Sequence, residues 1–355
     1  MVGAARVYTC GITPYDVTHL GHAATFVWAD LLSSVWRLCG VDTVGCRNVT
    51  DVDDVLTRAA DQRGSDFAQF ALQQEYLFDK DMSALRVRRP AYEPRARHYI
   101  GAVQQLAVAL LAADRAYLRD GFVYFRGAEV AARSGLSRQQ AMARCAEFGD
   151  EPQDSRRDDP FDVAVWRSSV RGEPAWPSPW GPGRPGWHAE CAAMALSVFG
   201  ASVDVLAGGE DLAFPHHAYQ AAMVEAATSV MPFARARLHV GAVCQGGAKM
   251  AKSTGNLALI ADLLRDHSPA AVRLLVLDRP WQSAWEYDPS CLDRAAGRLD
   301  RLYSAAGRSA STGDATTAAV IAALLDELDV PRAIEAALDG GGEAARLLLR
   351  VLAIA

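Results

Sequence analysis

The feature that most constrains the fold is a strand, a glycine-containing loop and a helix at the start of the chain. Residues 6–10 are rich in β-forming side chains and end at Gly11, which is typical of a short buried strand. A loop over residues 11–17 leads to Thr18, which we expect to cap a helix over residues 19–38. This order predicts an α/β protein with a doubly wound sheet.

The rest of the chain continues this pattern and divides into five segments. Strands are predicted at 41–48, 203–207 and 238–243, and helices at 67–85, 96–115, 191–199 and from Pro215. A stretch at 151–186, rich in proline, glycine and charge, indicates the end of an insertion between two halves of a nucleotide-binding fold. The expected segments are a first catalytic half at 1–95, a connective insertion at 96–185, a second catalytic half at 186–245, a lysine-loop linking region at 246–285 and a helical bundle at 286–355.

Composition narrows the functional classes. A chain of 355 residues exceeds what one hydrophobic core usually supports. The net charge of −6 and a net acidic segment at 286–355 disfavour binding to nucleic-acid phosphates. Seven cysteines without a CxxC pair do not resemble a disulfide framework. Because the first residues lack a signal-peptide core and no apolar run reaches membrane-spanning length, we expect a cytoplasmic protein.

Two short motifs indicate phosphate chemistry. His19 and His22 lie at the expected start of the first helix, where free amides and the helix dipole attract phosphate, and Gly21 allows close approach. Two of the only three lysines, Lys249 and Lys252, lie in one short segment. Their compact ammonium groups suit contacts with phosphate as point charges. The alternatives are a solvated turn at the lysines and a structural or local metal-binding role for the histidines.

Cys10, Cys191 and His216 form a third candidate site. Two thiolates and one imidazole are a soft ligand set that suits Zn²⁺, and three protein ligands leave a fourth position open, as in catalytic zinc sites. The alternative is that both cysteines are buried as small apolar residues and the histidine caps a helix. The residues alone leave both interpretations open.

The two phosphate motifs together resemble the signatures of class I aminoacyl-tRNA synthetases. They read Thr-His-Leu-Gly-His at 18–22 and Lys-Met-Ala-Lys-Ser at 249–253, where Ala251 replaces the usual serine. The resemblance implies a Rossmann nucleotide-binding fold with an insertion and a C-terminal helical bundle. It implies catalytic contacts with the ATP phosphates for His19, His22, Lys249 and Lys252. It further implies ATP binding for Gly11, Gly21, Gly209, Asp211 and Ser253.

A closer resemblance covers nearly the whole chain. The sequences at 8–16 and 186–191 are similar to those of cysteinyl-tRNA synthetases and, more closely, to those of the cysteine ligases of mycothiol biosynthesis. In both groups the residues that match Cys10, Cys191 and His216 bind zinc, and the sulfur of the substrate cysteine takes the remaining position. The resemblance therefore implies one Zn²⁺ per chain, with ATP and Mg²⁺ as substrate. It also implies that the substrate cysteine is held by Thr13, Thr50 and Trp187.

The same resemblance implies an ATP-dependent ligase that forms cysteinyl-adenylate and transfers cysteine to the amine of glucosaminyl-inositol. The alternatives are another small-molecule amine and, less favoured, tRNA; neither tRNA nor a membrane is an expected partner. Gln220 stands where synthetases carry a glutamate zinc ligand, and Ala218 replaces a glutamate usual in both groups. Asp51 and Asp53 are candidate general bases for the attacking amine.

Overall fold

The computed structural model describes residues 3–14, 18–52, 54–251, 255–309 and 313–355. Its first segment contains strand β1 (Ala5–Ile12), helix α1 (Leu20–Leu38), strand β2 (Thr43–Val49) and helices α2 (Asp54–Gln62) and α3 (Phe67–Ala84). Strand β1 pairs in parallel with β2. Its neighbouring residues Val7 and Tyr8 point to opposite faces and are both buried, as expected for a strand covered on both sides.

An antiparallel sheet with helices forms the next segment. Its elements are helix α4 (Ile100–Ala112), strands β3 (Ala116–Arg119) and β4 (Phe122–Phe125), helices α5 (Ala128–Arg133) and α6 (Arg138–Glu147), and strands β5 (Val163–Ser168) and β6 (Gly183–Pro185). The strands lie in the order β3-β4-β5-β6. The helix predicted at 96–115 was too long. It ends at Ala112 because Asp114 takes a left-handed conformation with φ of 52°.

The central sheet is completed by helix α7 (Trp187–Phe199), strand β7 (Val203–Gly209), helix α8 (His216–Thr228) and strand β8 (Ala234–Val240). All four strands are parallel and lie in the order β2-β1-β7-β8. The chain runs outward from β1 to β2 and then returns to the other side of β1. The carboxyl ends of β1 and β7 therefore flank the point where the strand order reverses, which is where open α/β sheets bind ligands.

The remaining elements are a small sheet and six helices: β9 (Val243–Gln245), β10 (Ala248–Lys249), α9 (Ile260–Asp266), α10 (Pro269–Leu277), β11 (Trp285–Glu286), α11 (Ser290–Ala306), α12 (Gly313–Leu325), α13 (Val330–Gly340) and α14 (Gly342–Val351). The strand predicted at 238–243 is in fact split. Gly241 separates β8 from β9, and its amide donates to Trp281 O at 2.8 Å. Within the ranges described, no helix is long and apolar enough to cross a membrane.

A buried ion pair joins helix α10 to helix α1 of the first segment. Arg273 on α10 contacts the carboxylate of Asp30 on α1, and both side chains are almost fully buried. Arg273 Nη1 also donates to Leu85 O at 2.8 Å, and its Nε donates to Leu352 O. These contacts satisfy the buried guanidinium from three separate segments, as a buried charge requires.

The start of α1 differs from the prediction. Thr18 was expected to be the N-cap, but the helix begins at Leu20, and His19 occupies the cap position without a side-chain cap hydrogen bond. The segment after the lysine loop takes over the pairing: Leu20 N donates to Ala258 O at 2.8 Å, and Ile260 N donates to Thr18 O at 3.0 Å. The first turn of α1 and the lysine region are therefore joined through their backbones.

Candidate functional site

One cleft of about 700 Å³ lies at the carboxyl edge of the central sheet, where the strand order reverses. It brings together the described residues that the sequence singled out for metal, cysteine and ATP. These are Cys10, Gly11, Thr13, His19, Gly21, His22, Thr50, Trp187, Cys191, Gly209, Asp211, His216 and Lys249. Lys252 and Ser253 lie outside the described residues. Residues that are far apart in the sequence, from Cys10 to Lys249, therefore line the same cleft.

Cys10, Cys191 and His216 form a compact cluster at the base of the cleft. Cys10 lies near the end of β1, Cys191 on the first turns of α7, and His216 is the first residue of α8. Their ligand atoms all lie within 4.8 Å of one another, and all three side chains are buried. In a tetrahedral zinc site with bonds of about 2.1–2.3 Å, ligand atoms lie roughly 3.5–3.8 Å apart. The cluster therefore fits a zinc ion with small adjustments.

Two amide side chains contact the thiols. Asn48 Nδ2 donates to Cys191 Sγ at 3.2 Å, and Cys10 Sγ donates to Gln220 Oε1 at 3.4 Å. Gln220 is fully buried, so it stands beside the cluster as a neutral amide. Burial, together with the nearby Cys10, raises the pKa of the Cys191 thiol well above its usual value. A divalent cation would have the opposite effect and hold both sulfurs as thiolates.

Two successive hydrogen bonds connect the Nδ1 atom of His216 to Asp150 through His188. His216 Nδ1 lies 2.9 Å from His188 Nδ1, and His188 Nε2 lies 3.1 Å from the carboxylate of Asp150. Burial lowers the pKa of His188, which favours the neutral ring. The sequence interpretation missed both residues. The signal for His188 was its position three residues before Cys191, on the same face of a helix.

Aromatic and hydroxyl side chains line the part of the cleft next to the cluster. Trp187 stacks on His216, with ring centroids 4.0 Å apart. Phe148 also stacks on Trp187, with ring centroids 5.8 Å apart. Thr13 Oγ1 and Thr50 Oγ1 lie 2.8 Å apart at the ends of β1 and β2. The hydroxyl pair offers both donors and acceptors to a polar ligand.

Glycines give the backbone close approach at two points of the cleft. A Cβ on Gly11 would lie 1.7 Å from Asn48 O, so no other residue fits without moving the end of β2. A Cβ on Gly209 would lie 2.5 Å from Asp211 Oδ1. Gly11 N also donates to Asn48 Oδ1 at 3.0 Å, which orients the side chain that contacts Cys191.

Helix α1 and the lysine region form the part of the cleft where the sequence predicts ATP binding. The rings of His19 and His22 stack with centroids 3.9 Å apart. Across from them, Lys249 Nζ lies 2.5 Å from Asp211 Oδ2. Asn256 holds the lysine region in place, because its Nδ2 donates to Gln245 O at 2.9 Å. The sequence interpretation missed Asn256, because a lone asparagine in a loop carries no distinctive pattern.

Asp51 is buried in an ion pair with Arg97, and among the described residues it is not one that lines the cleft. Arg97 N also donates to Asp51 Oδ1 at 2.9 Å. A general base must lie within hydrogen-bond reach of the group that it deprotonates, so this engagement with Arg97 does not favour Asp51 as the general base. Asp53 lies outside the described residues.

Most of the chain matches one known protein family. Residues 2–297 match the model described as the tRNA synthetases class I (C) catalytic domain. This chain belongs to that class I (C) family. The matched region includes every residue of the Cys10, Cys191 and His216 cluster and both phosphate motifs.

Within the class I (C) family, the curated relatives are ligases. A protein from Mycolicibacterium vanbaalenii named L-cysteine:1D-myo-inositol 2-amino-2-deoxy-α-D-glucopyranoside ligase is 44% identical over 346 residues, covering 95% of this chain and 80% of the relative. A protein of the same name from Thermomonospora curvata is 42% identical, covering 96% of this chain and 85% of the relative. The predicted membership in the cysteine-ligase group is confirmed, and so is the prediction of an ATP-dependent ligase.

Solved structures of class I synthetases share the fold of this family member. Methionyl-tRNA synthetase from Mycobacterium tuberculosis, in complex with methionyl-adenylate, superposes with a TM-score of 0.67 at 18% identity, covering 99% of this chain and 82% of that chain. A LeuRS from Agrobacterium radiobacter, in a ternary complex, gives 0.67 at 12% identity, covering 100% and 84%. The predicted class I synthetase-like α/β fold is confirmed.

Proposed function

We propose that this chain activates L-cysteine with ATP as cysteinyl-adenylate and transfers the cysteinyl group to the amine of glucosaminyl-inositol. The observation that carries the proposal is that Cys10, Cys191 and His216 line the same cleft as three described residues of the phosphate motifs, namely His19, His22 and Lys249. A sulfur-binding metal site beside a nucleotide site suits one amino acid above all, which is cysteine. The names of the relatives support the same donor and acceptor.

The buried Cys10, Cys191 and His216 cluster would hold one Zn²⁺ with a fourth position open. A bound zinc ion supplies strong binding of a thiolate, and serine, with a hard and weakly acidic hydroxyl, does not compete. Because Gln220 is neutral and stands in place of a glutamate, it adds no third anionic ligand to the two cysteine thiolates. This arrangement favours entry of the substrate sulfur.

The walls of the cleft would orient the rest of the cysteine molecule. The Thr13 and Thr50 hydroxyls at the ends of β1 and β2 are proposed to bind its backbone amino and carboxyl groups. Trp187 closes the side next to His216 and limits the space around the sulfur. A fixed amino acid brings its carboxylate toward α1, so that attack on a nearby phosphate becomes effectively unimolecular.

The first step joins a carboxylate oxygen of cysteine to the α-phosphorus of ATP, and the bond from that phosphorus to pyrophosphate breaks. His19, His22 and Lys249 are proposed to stabilise charge on the phosphate oxygens, with Mg²⁺ accompanying the ATP. Lys252 and Ser253 are proposed to share this task. Asp211 and Gly209 are proposed to lie at the ribose, where a carboxylate accepts hydrogen bonds from hydroxyl groups.

The second step transfers the cysteinyl group. The acceptor amine attacks the carbonyl carbon of cysteinyl-adenylate, the bond from this carbon to the AMP oxygen breaks, and the amine loses one proton as the amide forms. Glucosaminyl-inositol is the proposed amine because it is the acceptor in the names of the relatives. If the acceptor were another amine or tRNA, the first step would be the same and only this transfer step would differ.

Cysteine-dependent exchange of pyrophosphate into ATP tests the activation step. We expect exchange with cysteine and none with serine, and we expect the Cys10→Ser variant to lose both zinc and exchange. The exposed Cys39 provides the matched control, because Cys39→Ser changes a thiol far from the cluster. Full exchange by zinc-free Cys10→Ser would contradict the metal-based selectivity.

Release of AMP tests the acceptor. We expect AMP to form from cysteine and ATP only when glucosaminyl-inositol is added. The amide product should have the mass of cysteine plus glucosaminyl-inositol minus one water. Charging of total tRNA with labelled cysteine is the comparison assay. AMP release with tRNA, or with another amine, in place of glucosaminyl-inositol would assign the alternative acceptor.

A further inference from the structure

A series of hydrogen bonds leads from the predicted connective insertion, residues 96–185, to the proposed metal site. Asp150 follows α6, His188 lies in the first turn of α7, and His216 opens α8. Successive polar atoms lie 3.1 Å apart between Asp150 and His188 and 2.9 Å apart between the two imidazoles. His216 Nε2 then faces Cys191 Sγ at 3.2 Å. The three groups therefore form one continuous line that ends at the thiols.

The number of available protons fixes which atom donates in each hydrogen bond between Asp150, His188 and His216. A carboxylate only accepts, so the proton between Asp150 and His188 must sit on His188 Nε2. With one proton on each ring, His188 Nδ1 keeps its lone pair, so the proton between the two rings sits on His216 Nδ1. His216 Nε2 is left as a lone pair on the side of the sulfurs. This is the protonation pattern that a metal ligand requires.

We propose that Asp150 and His188 are positioning residues that hold His216 in the tautomer with a free Nε2 directed at the metal. This inference rests on the proposed zinc site. The insertion therefore takes part in metal binding, although none of the three proposed ligands lies in it.

Neighbouring aromatic contacts fix the ring of His188 and the segment that carries Asp150. His188 is 2% exposed, and its ring stacks on Tyr219 with centroids 5.2 Å apart, so it cannot turn toward solvent. Phe148, two residues before Asp150, stacks on Trp187, which in turn stacks on His216. The short segment from Phe148 to Asp150 thus contacts the His216 region through a stack and through a hydrogen-bonded chain.

Zinc affinity of the full-length protein is the direct test. The metal-free protein is titrated with Zn²⁺ against a chromophoric chelator, and with Co²⁺ to record the absorption bands of the site. We expect Asp150→Ala to weaken zinc binding by about 10–100-fold, as removal of such partners commonly does. Asp150→Asn keeps an acceptor oxygen and should lose less. The exposed Glu151, one residue on, gives the matched control Glu151→Ala.

Substitutions of His188 separate the proposed role from simple packing. In His188→Asn the amide oxygen can replace Nδ1 as acceptor from His216, whereas His188→Leu offers no acceptor. We expect His188→Asn to retain most of the zinc affinity and the Co²⁺ spectrum, and His188→Leu to lose both. The KM for cysteine should rise in His188→Leu, while the KM for ATP stays unchanged. In the His188→Leu background, Asp150→Ala should cause no further loss of zinc affinity, because the hydrogen bonds between Asp150 and His216 are already interrupted.

The outcomes distinguish the two levels of inference. If the wild-type protein binds neither Zn²⁺ nor Co²⁺ at one equivalent, the proposed metal site itself is wrong. If the wild type binds zinc but Asp150→Ala and His188→Leu bind it equally tightly, only the positioning role is overturned. Should Asp150→Ala fail to fold, Asp150→Asn and His188→Asn give the same comparison, with equal loss in His188→Asn and His188→Leu contradicting the proposal.

Discussion

Lys249 Nζ lies 2.5 Å from Asp211 Oδ2, so a cation predicted for the ATP phosphates is paired with a carboxylate predicted for the ribose. Both side chains are partly exposed, at 43% and 26%, so their attraction is weakened by solvent. A bound nucleotide offers each of them a new partner, because phosphate oxygens attract the ammonium group and ribose hydroxyls donate to the carboxylate. The pair is therefore expected to separate when ATP binds.

Replacing Lys249 tests its role at the phosphates. Lys249→Met is expected to slow cysteine-dependent pyrophosphate exchange by about 10²–10³-fold, because it removes a charge that stabilises the transition state. Lys249→Arg should recover only part of the rate, since the planar guanidinium does not replace a compact ammonium group. Lys80, an exposed lysine on α3, gives the control Lys80→Met. Equal exchange rates in Lys249→Met and Lys80→Met would remove Lys249 from the reaction.

Replacing Gln220 tests the geometry of the metal site. In Gln220→Glu a carboxylate takes the place of Oε1, which lies 3.4 Å from Cys10 Sγ. We expect zinc affinity to rise about tenfold or more as an anionic ligand is added, measured by competition with a chelator. The metal-free variant should be less stable than the wild type, because its buried carboxylate has no cation. Gln73→Glu, on the exposed face of α3, controls for the added charge; unchanged affinity in Gln220→Glu would place the ion elsewhere.

Two neutral histidines predict a loss of stability in mild acid. His217 Nδ1 lies 2.9 Å from His239 Nε2. Burial, and then the neighbouring His216 and His239, lower the pKa of His217 well below its usual value, and burial followed by Arg237 lowers that of His239. Below pH of about 6.5 the unfolded chain therefore binds protons that the folded protein does not, so folding weakens as the pH falls.

Urea unfolding of the metal-free protein between pH 8 and pH 5, about the range in which histidine titrates, measures this effect. We expect the free energy of unfolding to fall with pH below the usual histidine pKa, and His239→Asn to reduce the slope because it removes one of the histidines with a lowered pKa. His98→Asn, at an exposed histidine, should leave the slope unchanged. A flat profile for the wild type would show that these rings gain protons as readily when folded as when unfolded.

Gly11 links the stability of the sheet to the site. Gly11→Ala would place its Cβ 1.7 Å from Asn48 O, so β1 and β2 must shift apart at their carboxyl ends. We expect a loss of about 3 kcal/mol in the free energy of unfolding, as for other overpacked sites. Because Asn48 contacts Cys191, zinc affinity should fall as well. Gly101→Ala on α4, where a Cβ meets nothing within 4 Å, should be neutral or slightly stabilising; equal stability of the two variants would show that the clash is relieved freely.

The sequence predicted most of the architecture because its local signals were strong. The first strand and the helices at 67–85 and from Pro215 correspond closely to β1, α3 and α8. The errors lie where distant segments decide the local conformation. Thr18 carries a good capping side chain, yet Ala258 and Ile260 supply the partners at this helix start. No sequence window contains both segments, so local reasoning chose the cap.

The site follows the same division. Cys10, Cys191 and His216 could be named in advance because their residue types are chemically distinctive and match a known pattern. Asp150 and His188 could not, because a carboxylate in a polar stretch and a histidine in a helix have many bland roles. Only the folded chain places Asp150 against His188 and gives the pair its meaning.

The position of β1 in the sheet has a consequence for synthesis of the protein. Strand β2 follows β1 after a single helix, but the other neighbour of β1, strand β7, begins only at Val203. Because the chain is synthesised from its N-terminus, this edge of β1 lacks its partner until β7 has been translated. Such long-range parallel pairing slows folding and leaves a strand edge open to aggregation. Recombinant yield should therefore depend on chaperones that shield this edge during translation.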